Sequence, residues 1–77
     1  MQTLIYTTAT CPYCIQAKRL LQEQGYSYTE IRVDLDDAER EKMVAKSGRR
    51  TVPQIFIDDK HIGGYDDLYV YFKNSSA

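Results

Sequence analysis

Two cysteines, Cys11 and Cys14, stand two residues apart in Thr10-Cys11-Pro12-Tyr13-Cys14, and the 77-residue chain has no others. Thiols so close can share one chemistry: a thiolate attacks a disulfide and its neighbour resolves the mixed disulfide that forms. A bridge between them would close a loop of only four residues, worth about 2 kcal/mol in a chain-entropy account, which makes it a poor structural staple. Zinc wants four ligands, and the chain offers these two cysteines and one histidine, His61. A half-site completed by a second chain remains as the metal alternative. The acidic group Asp34, Asp36, Asp37 and Glu39 lacks the glycine and distal glutamate of a calcium loop, and helix capping accounts for it.

The elements around the pair give it a context. Gln2 to Thr7 reads as a first strand, with Leu4 and Tyr6 on one face and Ile5 on the other. Thr8-Ala9-Thr10 is the loop that delivers Cys11. Pro12 suits a first helical position, where its missing N–H leaves no gap. The helix then runs to about Gln24, with Ile15, Ala17, Leu20 and Leu21 as its apolar face and Gly25 as its stop. Strand, turn and helix is the setting in which a Cys-x-x-Cys reads as a redox pair.

Further on, Tyr26 to Leu35 is a second strand candidate. Ile31, Val33 and Leu35 alternate with Arg32 and Asp34, while Tyr26-Ser27-Tyr28 is out of phase and predicts a turn or bulge near Thr29. Asp36 or Asp37 caps a second helix with Met43 and Val44 facing inward, and Ser47-Gly48 ends it. Arg49-Arg50-Thr51-Val52-Pro53 leads into a strongly apolar third strand, Gln54 to Ile57. Asp58-Asp59-Lys60 is a hairpin turn, His61-Ile62 starts a fourth strand, and Gly63-Gly64 breaks it. Asp66 or Asp67 then caps a last helix, Leu68 to about Lys73. Asn74-Ser75-Ser76 matches a glycosylation triplet, read here as accidental. The order is β-α-β-α-β-β-α: a parallel crossover first, an antiparallel hairpin last, and a mixed four-stranded sheet with three helices on its faces.

Composition sets the bounds. Hydrophobic content of 43% and charged content of 27% are those of an ordinary globular chain, and the length suits a single domain over residues 1–77. A formal net charge of −1 gives no basic field for nucleic acid and no polybasic patch for a membrane. No apolar run approaches the ~20 residues of a membrane span. No secretory leader is visible, so cytoplasm is the expected compartment.

With this order in place, Thr10-Cys11-Pro12-Tyr13-Cys14, Thr51-Val52-Pro53 and Gly63-Gly64-Tyr65-Asp66-Asp67 resemble the dithiol glutaredoxins, in that family's order and separations. The resemblance extends over nearly the whole chain and is nearest to small bacterial-type members. It implies a thioredoxin-like fold and a glutathione-dependent disulfide oxidoreductase, an electron carrier with Cys11 as nucleophile and Cys14 as resolving thiol. It also implies a cis bond before Pro53, which turns the Val52 backbone toward an extended peptide, the cysteinyl part of glutathione. The Tyr65 and Asp66 backbone, Gly64 and the Asp67 side chain would take the γ-glutamyl end, at a helix start suited to a carboxylate. Tyr13 would flank the substrate sulfur. Arg49 or Arg50, beside Thr51, would pair with the glycyl carboxylate.

On the residues alone, Pro53 reads as a strand-entry proline, the aspartates as helix caps and the arginines as surface charges. Both sets of readings stay open at this point. No bound cofactor is implied, with glutathione acting as co-substrate. The implied partners are disulfide-containing or glutathionylated proteins, ribonucleotide reductase among the candidates, met by a monomer. One departure is notable. Many family members carry a lysine three residues before the nucleophile, and here that residue is Thr8. Support for a Cys11 thiolate must then come from the helix start or from an arginine. Two rivals remain: a redoxin recharged by thioredoxin reductase, and a dimer sharing an iron–sulfur cluster through Cys11 and glutathione. Pro12 disfavours the latter because it stiffens the turn at Cys11.

Overall fold

In the computed structural model, which describes residues 2–75, β1 (Thr3–Thr7) lies inside a four-stranded sheet. Chain order gives α1 (Pro12–Glu23), β2 (Thr29–Arg32), α2 (Asp37–Ser47), β3 (Gln54–Ile57), β4 (Lys60–Gly63) and α3 (Tyr65–Ser75). The strands lie side by side as β2-β1-β3-β4. β1 pairs parallel with β2, Leu4 against Thr29 and Thr7 against Arg32. It pairs antiparallel with β3, Thr3 against Ile57 and Tyr6 against Gln54. The sheet is mixed because α1 carries the chain from β1 to its parallel neighbour, while the β3–β4 turn needs only Asp58 and Asp59. Both have positive φ, 50° and 67°, as a hairpin turn that follows the strand twist requires.

Alternation along the strands divides the core in two. On one face Ile5, Ile55 and Ile57 meet Ala17 and Leu21 of α1 and Leu68 and Phe72 of α3. On the other Tyr6, Phe56 and Val33 meet Met43 of α2. Burying a side chain of this size contributes roughly 1.5–3 kcal/mol, and the two clusters anchor all three helices to the sheet.

Several boundaries differ from the sequence expectation. Gln2 precedes β1, and α1 ends at Glu23, with Gln24 as its C-cap. Ile15 is 53% exposed, and the buried face of α1 is Cys14, Ala17 and Leu21. That face starts at Cys14, so the apolar stripe is rotated away from Ile15. β2 stops at Arg32 although the alternation runs on to Leu35. The Leu35 N–H bonds back to the Arg32 carbonyl in a turn, and the Asp34 carboxylate is held by Arg32 and by the Ala9 N–H. Leu35 is left 75% exposed. Tyr26 and Tyr28 belong to no strand and pack on the α1–α3 core.

Asp36 caps α2 through the Ala38 and Glu39 N–H groups, and Gly48, with φ 72°, ends it. α3 starts at Tyr65 rather than Leu68. Ser76 of the glycosylation triplet lies outside the described residues. No helix among the described residues is long and apolar enough to cross a membrane.

The rotated α1 stripe has a measurable consequence. Leu21→Ala is expected to lower unfolding free energy by about 2–5 kcal/mol, a cavity cost. Ile15→Ala should change it by less than about 0.5 kcal/mol. Urea unfolding of both variants checks this; equal losses would return Ile15 to the core.

Candidate active site

β1 ends at Thr7, and the loop after it brings Cys11 to the start of α1. Cys11 is the N-cap: its backbone is extended, with φ −126° and ψ 101°, and Pro12 opens the helix. Serine, threonine or aspartate usually fills this place and accepts an orphan N–H. Here the sulfur does so, accepting from the Cys14 N–H at 3.2 Å. The thiol also reaches the Val52 carbonyl, at 3.7 Å. A helix start carries partial positive charge and free N–H groups, which favour negative charge on a sulfur. Cys11 is 9% exposed and Cys14 1%.

The two sulfurs differ in kind. Burial, more than any other cause, pushes the Cys14 thiol up from an ordinary 9.0 to about 12, helped by its hydrogen bond to Cys11. The Thr8 backbone and, more weakly, the Lys18 charge pull the other way. Lys18 is itself held by Glu30, at 2.9 Å, and Glu30 also accepts from the buried Thr7 hydroxyl at 2.7 Å. These two bonds hold the Glu30 carboxyl below its usual value.

Beside Cys11 lies a cleft of about 170 Å³. Among the residues expected at the site, Tyr13, Thr51, Val52, Pro53, Gly64, Tyr65, Asp66 and Asp67 all line it. The Val52–Pro53 peptide is cis. Tyr13 and Tyr65 approach with ring centroids 6.2 Å apart and form one wall. Arg50 is placed elsewhere, over a hollow against α2 with Asp37, Arg40 and Glu41. Arg49 lines the cleft in its stead and pairs with Asp67 at 3.2 Å.

The α3 end of the cleft is built backwards from the expected cap. Asp67 does not sit before the helix. It lies in the first turn and accepts from the Gly64 N–H at 3.0 Å, the return half of a capping box. That N–H first, and Arg49 second, hold the Asp67 carboxyl below its usual value. The β3–β4 ladder shifts register between Ile55 and Phe56, Ile55 facing Gly63 and Phe56 facing His61. Ile62 is thus an extra residue, and the bulge turns the chain toward α3. Gly63 has φ 122°, and a Cβ there would collide with the Asp67 carboxylate. Only glycine fits.

Two further residues escaped the sequence reading. Gln54 is 1% exposed and donates to the Thr51 carbonyl at 3.0 Å and to the Thr51 hydroxyl at 3.3 Å. Its Oε1 lies 2.7 Å from His61 Nε2. A carbonyl only accepts, so the Thr51 bond sets the amide orientation, and His61 must carry its proton on Nε2. Burial first, then the Arg49 charge, lowers the His61 pKa from 6.5. The available signal was a glutamine opening a strand of otherwise apolar residues, since a polar side chain at a buried position needs partners.

A sulfur that accepts a helix N–H beside a second, protonated sulfur is built for exchange with a disulfide. The fold and the pair together define a thiol–disulfide oxidoreductase of thioredoxin-like fold. The family model described as Glutaredoxin matches residues 3–62. Glutaredoxin 3 of Escherichia coli K12 is 60% identical over 65 residues, which are 84% of this chain and 78% of the relative. Glutaredoxin 1 of Rickettsia prowazekii is 56% identical over 68 residues, 86% of this chain and 72% of that one. The solution structure of a Brucella melitensis glutaredoxin superposes with a TM-score of 0.84 at 42% identity, covering 99% of this chain and 83% of that one. A buckwheat glutaredoxin–glutathione complex superposes with a TM-score of 0.85 at 32% identity, covering 95% and 69%. The chain belongs to the glutaredoxin family.

The Cys14 shift gives a pH signature. Its folded pKa lies above the unfolded value, so its contribution to stability is complete below pH 9.0 and is lost as pH rises toward about 12. Cys14→Ser should remove that alkaline loss of stability, followed by urea midpoints from pH 8 upward. At pH 7 a thiol with a pKa near 12 is ionised in about one molecule in 10⁵. Iodoacetamide should therefore modify Cys11 first, and Cys14 more than about a hundredfold more slowly. Peptide mapping reads the order, and equal rates would contradict the burial of Cys14.

Proposed function

We propose that this chain is a glutathione-dependent thiol–disulfide oxidoreductase acting on glutathionylated and disulfide-containing proteins, with Cys11 as nucleophile and Cys14 as resolving thiol. The observation that carries the reading is the Cys11 sulfur lying between the Cys14 N–H and the Val52 carbonyl, beside a cleft with a paired cation and anion. The buckwheat relative solved in complex with glutathione supports the choice of thiol.

In the first step the Cys11 thiolate attacks the glutathionyl sulfur of a mixed disulfide. A Cys11–glutathione disulfide forms, and the protein thiolate leaves and takes a proton. The thiolate of a second glutathione then attacks the glutathionyl sulfur, giving glutathione disulfide and restoring Cys11. With a protein disulfide, Cys11 forms a mixed disulfide and expels the partner sulfur. Cys14 attacks next, the substrate leaves reduced, and two glutathiones reduce the Cys11–Cys14 bond. Two causes that hold the proton on Cys14 are its hydrogen bond to Cys11 and the Cys11 charge. Both disappear once the Cys11 sulfur is bound in a disulfide, so the proton is released more readily when the attack requires it.

The cleft complements an amino-acid end. Asp67 suits an ammonium group, and the Tyr65 and Asp66 N–H groups at the α3 start suit a carboxylate. In the free chain Asp67 is paired with Arg49, both about half exposed. A pair of that kind is worth about 0–1 kcal/mol. Opening it for a ligand ammonium therefore costs little, and it frees the Arg49 fork to take a ligand carboxylate.

A glutathione-coupled assay on the native chain, Cys11→Ser and Cys14→Ser tests the assignment. Cys11→Ser should lose all activity. Cys14→Ser should still deglutathionylate a peptide while losing reduction of a protein disulfide. Equal loss of deglutathionylation in both variants would contradict a route through Cys11 alone.

A further inference from the structure

The loop from Gly48 to Pro53 crosses the gap between α2 and β3 without a strand or helix of its own. Side chains tie it at both ends. At its start the Ser47 hydroxyl, which donates to the Met43 carbonyl at 2.7 Å, accepts the Arg49 N–H at 3.0 Å. At its end the Gln54 amide takes Thr51 by both carbonyl and hydroxyl. Val52 is the next residue, and its carbonyl receives the Cys11 thiol. Gln54 sits on the α2 face of the sheet, in register with Tyr6. It is wholly buried there, and an amide in such a place keeps its orientation only if each end is partnered. His61 supplies the second partner. The His61 ring lies on Phe56, centroids 5.0 Å apart, in a strand bonded to β3, so its Nε2–H points from a rigid element.

We propose that Gln54 and His61 are positioning residues for the exchange site. The His61 Nε2–H orients the Gln54 amide, and the amide anchors Thr51, so that the Thr51-Val52-Pro53 edge meets a peptide substrate at a set distance from the Cys11 sulfur. This rests on the reading that the edge takes the peptide of glutathione. Neither side chain touches the sulfur, so the effect is on how the substrate is held rather than on the intrinsic reaction of Cys11. A substrate without a peptide backbone makes no use of the edge.

The test follows single-turnover reaction of the reduced chain with a glutathionylated peptide and with hydroxyethyl disulfide, which has no peptide group. Amide hydrogen exchange at Thr51 and Val52 is measured alongside. Gln54→Met keeps the volume and removes all three hydrogen bonds of the amide. His61→Phe keeps a ring on Phe56 and removes the donor, while His61→Gln restores a donor.

Gln54→Met and His61→Phe are expected to raise exchange at Thr51 and Val52. They should also weaken the preference for the glutathionylated peptide by about tenfold, the effect of a lost buried hydrogen bond. Hydroxyethyl disulfide should react within about twofold of the native rate, and His61→Gln should recover most of both losses. A purely structural role would lower thermal stability and leave the preference and the rescue pattern unmoved, which overturns the proposal. Unchanged exchange in folded variants overturns it as well. If the native chain shows no preference for the peptide while exchange still rises, the glutathione reading fails and the anchoring stands. His61 is only half buried, so His61→Phe carries the test should the buried Gln54→Met fail to fold.

Discussion

The hydrogen bond from the Cys14 N–H to the Cys11 sulfur is the constraint on which the site depends. A helix must satisfy the N–H groups of its first turn, and most do so with an oxygen that has no further duty. Here the acceptor is the sulfur of the proposed nucleophile. The local energetics that start α1 and the chemistry that needs charge on Cys11 therefore draw on one bond. Pro12 agrees with both demands. It opens the helix without an N–H of its own and leaves the sulfur to the N–H groups further in. The same turn makes Cys14 the first residue of the buried stripe, and that burial is the main cause that holds its proton.

A helix start alone does not make a site; its position over the sheet does. β1 is an interior strand, paired on both sides, so the loop after Thr7 leaves from a fixed point. β3, its antiparallel neighbour, begins at that same end, which brings the Val52 carbonyl against the sulfur. β4 turns back at Gly63, where a bulge and a positive φ send the chain into α3. Three loops thus meet at one end of the sheet, each tied down by a different device: a helix cap, a buried glutamine and a glycine that no other residue can replace.

The order of elements and the identity of most cleft residues could be read from the chain because they depend on local rules. Pro12 at a helix start, Gly25 and Gly48 at helix ends, and alternation in β1 and β3 each act within a few residues. What escaped depends on contacts between distant segments. The alternation through Leu35 is strand-like, yet Asp34 is needed to bind Arg32 and the Ala9 N–H, so the strand ends early. Ile15 fits an apolar helix pattern, but the stripe is set by where Cys14 must be buried. Choosing between Arg49 and Arg50 depends on Asp67, 18 residues beyond Arg49. A pattern of adjacent arginines cannot encode that difference.

Gln54 and His61 show where a sequence pattern is informative without being decisive. A glutamine at the head of an apolar strand breaks a local rule, and such breaks concentrate where function or strain has to be accommodated. Its cost is the desolvation of an amide, repaid only when all its partners are present. In this chain the partners are the Thr51 carbonyl and a histidine whose pKa burial and the Arg49 charge lower. An apolar residue would serve the core as well, since Tyr6 and Phe56 lie on the same face. What it could not do is hold Thr51. The polar residue is therefore better explained by the edge it fixes than by the core it occupies.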